Sequence, residues 1–129
     1  MINIKDFIFE KLKLNKDIEI GADKKEDDPT TWDVGDILSG TFGYSMTIPV
    51  FFKVIKKTAK QFTVVKLSKK LASGHYNGSF EEVPDESKLD QDLKRNQIRA
   101  RINKRNHLVI DDVYVSLWDG KPVHGDDMD

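Results

Sequence analysis

The sequence predicts a mostly β protein, α+β by content: a small twisted antiparallel sheet or SH3-like barrel of about five strands, with an N-terminal helix. Three observations predict it. Apolar and polar residues alternate through residues 34–67 and again through 97–118, the period of a strand with one dry face. Turn-forming residues punctuate both stretches. Residues 4–14 instead space their apolar groups for a helix.

The helical stripe consists of Ile4, Phe7, Ile8 and Leu12, with Asn3 as a cap, Asp6 in the first turn and Lys13 and Lys16 near the end. Residues 1–16 are therefore read as a helix that closes one end of the barrel. Residues 17–31 are acidic, carry few large apolar groups after Ile20 and contain Gly21 and Pro29, so they read as a mobile linker.

The β core spans 32–122. Val34 to Phe42 forms its first strand, with Gly40 as a bulge candidate. Next comes a long half-buried strand with Ile48, Val50, Phe52 and Val54 on one face and Phe51, Lys53, Ile55 and Lys57 on the other. Pro49 must lie at its start or on an edge. Gln61 to Leu67, rich in β-branched residues, returns as the partner of a hairpin.

Residues 72–96 carry a weaker signal, because Ser73 to Gly78 is turn-rich and Val83-Pro84 is a breaker. Ser87 can cap a short helix holding Leu89 and Leu93. Ile98, Ala100 and Ile102 then alternate with Arg99, Arg101 and Asn103, a strand with one dry and one basic face. After a turn at 103–106, His107 to Trp118 forms the final strand, interrupted at Asp111-Asp112, and 123–129 reads as a frayed tail.

The 129 residues fit one domain, 1–129, since a chain of this size supports one core. The absence of cysteine excludes a disulfide framework, a thiolate zinc site and a thiol nucleophile. No apolar run is long enough to span a bilayer, and Met1 to Asp6 lacks the pattern of a signal peptide. A cytoplasmic protein that does not enter a membrane is expected.

Net charge is −1, but the charges are segregated. Lysines fill residues 53–70 and basic residues fill 94–105, without an acid in either, while acids crowd 17–36, 81–92 and 111–129. Lys53, Lys66, Arg99, Arg101, Lys104 and Arg105 are thus candidates for a single-stranded nucleic-acid surface, with Phe51, Tyr44 or Tyr76 as stacking planes. The opposing view is that acidic loops neutralise these faces within the molecule.

The chemistry of catalysis is thin. The sequence has no Gly-rich phosphate loop, no His-Glu-x-x-His and no Gly-x-Ser-x-Gly elbow. His75, His107 and His124 lie far apart in sequence, without a second histidine at ligand spacing. Acid neighbours such as Asp111-Asp112 and Glu81-Glu82 point to opposite faces of a strand and cannot share one substrate. The expectation is a non-enzymatic protein with no cofactor and no metal.

Phe42-Gly43-Tyr44-Ser45-Met46 is a turn carrying two aromatics and a methionine, a residue mix suited to an interface anchor. Trp118, before Asp119-Gly120, is either a platform of the same kind or a core cap. Phe42, Tyr44, Met46 and Trp118 are the candidate partner-binding residues.

Val34-Gly35-Asp36-Ile37-Leu38, Phe42-Gly43-Tyr44 with Thr47, Phe51-Phe52-Lys53-Val54 and Trp118-Asp119-Gly120-Lys121-Pro122 resemble a group of small proteins of tailed phages and prophages. The resemblance covers roughly residues 32–67 and 107–122. Those proteins carry polar Asn and Asp where this chain has Ile48-Pro49-Val50, so a site built from them is altered here. The resemblance implies a protein made in the cytoplasm of an infected bacterium that binds and modulates a host protein, such as a defence component. A virion or assembly component is the alternative it leaves open.

Overall fold

In the computed structural model, which describes residues 25–43, 45–95 and 97–127, the alternating segments become strands. β1 (Ile37–Phe42), β2 (Ile48–Lys57) and β3 (Gln61–Lys66) form an antiparallel meander. β4 (Lys69–Gly74) and β5 (Ser79–Pro84) form a hairpin, followed by a 3-10 turn at Glu86–Lys88 and the short helix α1 (Leu89–Asp92). β6 (Ile98–Arg101), β7 (Leu108–Ile110), β8 (Val113–Leu117) and β9 (Val123–Asp126) complete the chain order. The expected helix at 1–16 and most of the expected linker lie outside the described residues.

Six strands line up in the order β6-β3-β2-β1-β8-β7. The two ends of this row meet through an Ile102–Leu108 bridge and a 2.9 Å hydrogen bond from Asn103 N–H to the His107 carbonyl. The sheet thereby nearly closes into an antiparallel barrel, which removes most of its exposed edge.

Side-chain parity fills the interior. Val50, Phe52 and Val54 of β2 meet Phe62 and Val64 of β3, Ala100 of β6, and Leu108, Ile110, Val113 and Val115 of β7 and β8. Trp32 plugs one end, 1% exposed, tilted on Phe62 at 6.0 Å and donating its indole N–H to the Lys25 carbonyl at 2.8 Å.

A second core lies outside the barrel wall. Phe51, Ile55, Val65 and Leu67 pack there with Leu89, and Leu93, Trp118 and Val123 close the margin. This corrects the expectation that β2 is half-buried: residues 49–55 are buried on both faces. A strand covered on both sides carries a nearly continuous apolar run, and Pro49 to Ile55 is such a run apart from Lys53.

The cover comes from a three-stranded sheet in the order β4-β5-β9, together with α1. Residues 69–84 carry charged and small groups that hide their strand character, since most of β4 is exposed. The tail expected to fray instead pairs with β5 from Ser79–Asp126 to Glu82–Val123. Gly125 makes this possible, because an added Cβ there would fall 2.5 Å from the Phe80 ring and 2.7 Å from Pro49 Cδ.

Local chemistry explains the turns. Asp111 and Asp112, at φ 49 and 64, form a two-residue turn between β7 and β8 where the strand was expected to break. Ser87, expected to cap the helix, lies inside the 3-10 turn at Glu86–Lys88 that leads into α1; Asp85 caps that turn, its carboxylate accepting from Ser87 N–H at 3.2 Å and Ser87 Oγ at 2.6 Å, and α1 has no side-chain cap of its own. Residues 25–31, expected in the mobile linker, include a 3-10 turn at Pro29–Thr31 capped by Asp28, with Pro29 buried. Leu117 N–H donates to the Glu26 carbonyl at 2.9 Å, tying this segment to β8.

Candidate nucleic-acid interface

The pairings that build the barrel interior also decide which basic residues share its outside. Phe62 opposite Ala100 and Val64 opposite Ile98 face inward, so the intervening pairs Thr63–Arg99 and Gln61–Arg101 face outward. On β2 the register shifts between Val54 and Lys56, a bulge that sets Lys56 opposite Thr63. Lys56, Thr63 and Arg99 therefore form one row across three strands.

Around the end of the wall the cations continue. Ile102 N–H donates to the Lys60 carbonyl at 2.9 Å, which brings the β2–β3 turn beside β6. Lys104 and Arg105 occupy the turn into β7. All six residues, Lys56, Lys60, Arg99, Arg101, Lys104 and Arg105, are exposed. Ion pairs among the described residues engage Lys53, Lys57, Lys69 and Arg95 instead.

Two residues expected on this surface are elsewhere. Lys53 is 3% exposed and its ammonium lies 2.8 Å from Glu86 Oε1, so it belongs to the covered side of β2. This corrects its placement on a wet face: the second sheet and α1 shield that side, and a buried charge is retained by pairing. Lys66 is exposed but pairs with Phe52, beyond the last β3–β6 pair at Val64–Ile98, and does not join the row.

The bulge also exchanges Lys56 and Lys57. Strict alternation puts Lys57 outside; instead it turns to the barrel end, 5.7 Å from the centre of the Phe62 ring. There it donates to the carbonyls of Trp32 and, at 3.2 Å, Thr30, and lies 3.9 Å from Asp33. No local signal in the sequence marks the slip, so Lys56 was missed.

The stacking planes change as well. Phe51 is fully buried in the second core, which corrects its assignment as one. Tyr76 is 51% exposed, but it sits on the β4–β5 connection, edge-on to Phe80, and donates to Glu82 Oε2 at 3.0 Å. Desolvation first, and the Glu82 carboxylate second, raise its phenol above the usual value. Tyr44 lies outside the described residues.

The aromatic that adjoins the basic wall is Tyr114, 65% exposed and edge-on to His107 at 5.7 Å. Its signal was present in the sequence: between Val113 and Val115 it occupies the outward phase of a strand. Nearby, Asp28 is held below the usual carboxylate range, first by the Thr30 hydroxyl and then by the Asn106 amide at 3.1 Å.

The partner-binding candidates divide. Phe42 and Met46, 46% and 39% exposed, flank the β1–β2 connection. Gly43 has φ 128, and a Cβ there would collide with the Met46 carbonyl, so the connection requires glycine. Trp118 is half-buried, edge-on to Phe51 at 6.0 Å, with its indole N–H on the Lys121 carbonyl at 2.8 Å. Its backbone N–H bonds Ile37, at the opposite end of β1 from Phe42, roughly 17 Å away at 3.3 Å per residue. The structure brings Phe42 and Met46 together and leaves Trp118 apart.

Among the described residues, no group of three or more histidine, cysteine or carboxylate side chains can hold a metal ion. No described helix is long and apolar enough to cross a membrane. The class of protein these features define is a small antiparallel β barrel, covered on one wall by a second sheet and bare and basic on another. Comparison with known proteins finds no matching family model, no matching curated protein and no matching solved structure.

Proposed function

We propose that this chain is a non-enzymatic binding module that holds single-stranded nucleic acid along its basic barrel wall. The observation that carries the reading is a set of six exposed cations, Lys56, Lys60, Arg99, Arg101, Lys104 and Arg105, on adjoining strands and turns, none in an ion pair with a described acid. The nearly neutral total does not oppose it, because a ligand responds to the local field of a patch rather than to the sum over the molecule. A phosphate backbone matches this chemistry, and a strand that crosses a convex wall must bend, which favours a flexible single strand over a duplex.

Binding should depend steeply on salt. If all six cations contact phosphates, log K against log salt has a slope of about −4 for a single strand. Fluorescence anisotropy of a labelled oligonucleotide across a salt series measures it. Absence of binding at low ionic strength overturns the reading.

A second reading is a host-protein partner, with a defence component as one candidate, anchored at Phe42 and Met46 and located in the cytoplasm of the infected cell. The exposure of both side chains on one tight connection favours it. Affinity capture should then recover a protein with the unaltered chain and lose it with Phe42→Ser plus Met46→Ser. Capture that is unchanged by the double substitution removes this site. Presence in purified particles would identify a virion component instead.

A further inference from the structure

We propose that the groove beside Tyr114 is a base pocket that takes one nucleobase of a single strand lying on the basic wall. The inference rests on the nucleic-acid reading of that wall. The groove has a volume of about 330 Å³, at the lower end of small-ligand sites. The buried Pro29, Trp32, Leu108 and Val115 form its floor, and the exposed Tyr114 and His107 border it with their rings, which stand at 85° to each other.

Two connections join the groove to the cations. The turn carrying Lys104 and Arg105 runs through Asn106 directly into His107. Continuing the β6–β7 register by one residue from the Ile102–Leu108 bridge sets Arg101 beside Val109, which pairs with Tyr114. Arg101 and Tyr114 thus share the outer face of the wall, on the two strands that flank β7, with Val109 between them. A backbone held by Arg101 and Arg105 passes the mouth of the groove.

The lining selects a base over a phosphate. It contains no lysine or arginine to hold a phosphate, and Asp27 at its border adds a negative charge that repels one. A carboxylate can accept from an exocyclic amine, so with Asp27 as the acid bordering the groove an amine-bearing base is the fitting occupant. The exposed phenol ring of Tyr114 supplies a stacking face that any base can use.

The test uses the full chain and two labelled strands of equal length, oligodeoxycytidylate and its abasic counterpart, which carry the same phosphates. The base-bearing strand should bind roughly ten-fold tighter or more. Tyr114→Ala should abolish most of that preference and leave the salt slope unchanged. The ring is exposed, so its removal should spare the fold, which a matching urea transition verifies. Equal affinity of the unaltered chain for both strands overturns the pocket and leaves the wall. No binding of either strand at low salt overturns the wall and the pocket together.

Discussion

Two lysines on β2 show how differently the two sides of one barrel wall can be used. Lys53 and Lys56 are three residues apart, yet Lys53 is buried against Glu86 under the second sheet, while Lys56 stands exposed in a row with Arg99. Neither the residue type nor the strand distinguishes them. What differs is cover: α1 and the β4-β5-β9 sheet lie over Phe51, Ile55 and Val65, whereas Arg99 and Arg101 are exposed. A charge beneath the cover must find a partner, whereas one on the bare wall keeps its field for something outside the molecule.

Breaking the covered side should have the largest effect. Phe51→Ala leaves a cavity between the barrel and its cover, next to Ile55, Val65 and Trp118, and should cost about 3–5 kcal/mol in urea denaturation. A loss below about 1 kcal/mol would show that the second sheet does not depend on this contact.

Glu86→Ala comes next, because it strands the Lys53 ammonium. Glu86 itself is 28% exposed, so the expected loss of about 2–3 kcal/mol falls below the full cost of an unpaired buried charge. Adding Lys53→Met should recover most of that loss, since methionine fills the site without a charge to satisfy. If the double variant is no more stable than Glu86→Ala alone, the ion pair is not what holds this side together.

The bare wall should behave in the opposite way. Arg99→Ala with Arg101→Ala should change stability by no more than about 0.5 kcal/mol, because both side chains are exposed and outside any ion pair among the described residues. The same pair should make the salt dependence of oligonucleotide binding shallower by about 1.4 in slope. A large loss of stability would make these residues structural and erase the contrast.

The smallest expected effect lies at the rim of the cover. Asp127 accepts from Gly78 N–H at 2.7 Å, and hydrogen bonds from backbone N–H groups, that of Asn77 first, hold its carboxyl below the usual value. A depressed folded-state pKa gives stability that is present above the unfolded-state value of about 3.9 and is lost as pH falls through the folded one. The protection of the Gly78 amide against exchange, taken relative to the unfolded chain at each pH, should therefore fall in acid, and Asp127→Asn should flatten that dependence. An unchanged acid profile in the variant would assign it to other carboxylates.

How much was legible in the sequence can be argued from these same residues. The alternation around Val50, Phe52 and Val54, and around Phe62 and Val64, marks inward positions because neighbouring side chains on a strand must point opposite ways. Arg99 and Arg101 were readable as outward for the same reason, as was Tyr114 had its phase been followed. Lys56 was not readable, because the bulge after Val54 inverts the phase without a local marker. β4 and β9 escaped because Leu71, Ser73 and His124 are exposed and leave no dry stripe in the sequence.

The sequence by itself determined the β class, the strands that line the barrel, the break at Asp111-Asp112 and the segregation of charge along the chain. Each is a local property, set by side-chain period, turn chemistry or composition. The tertiary structure alone decided that the sheet closes through Ile102 and Leu108, that Lys53 is covered and Lys56 is not, and that Tyr114 stands beside the cations. Those outcomes depend on contacts between residues far apart in the chain, and no local pattern encodes which face a distant segment will come to cover.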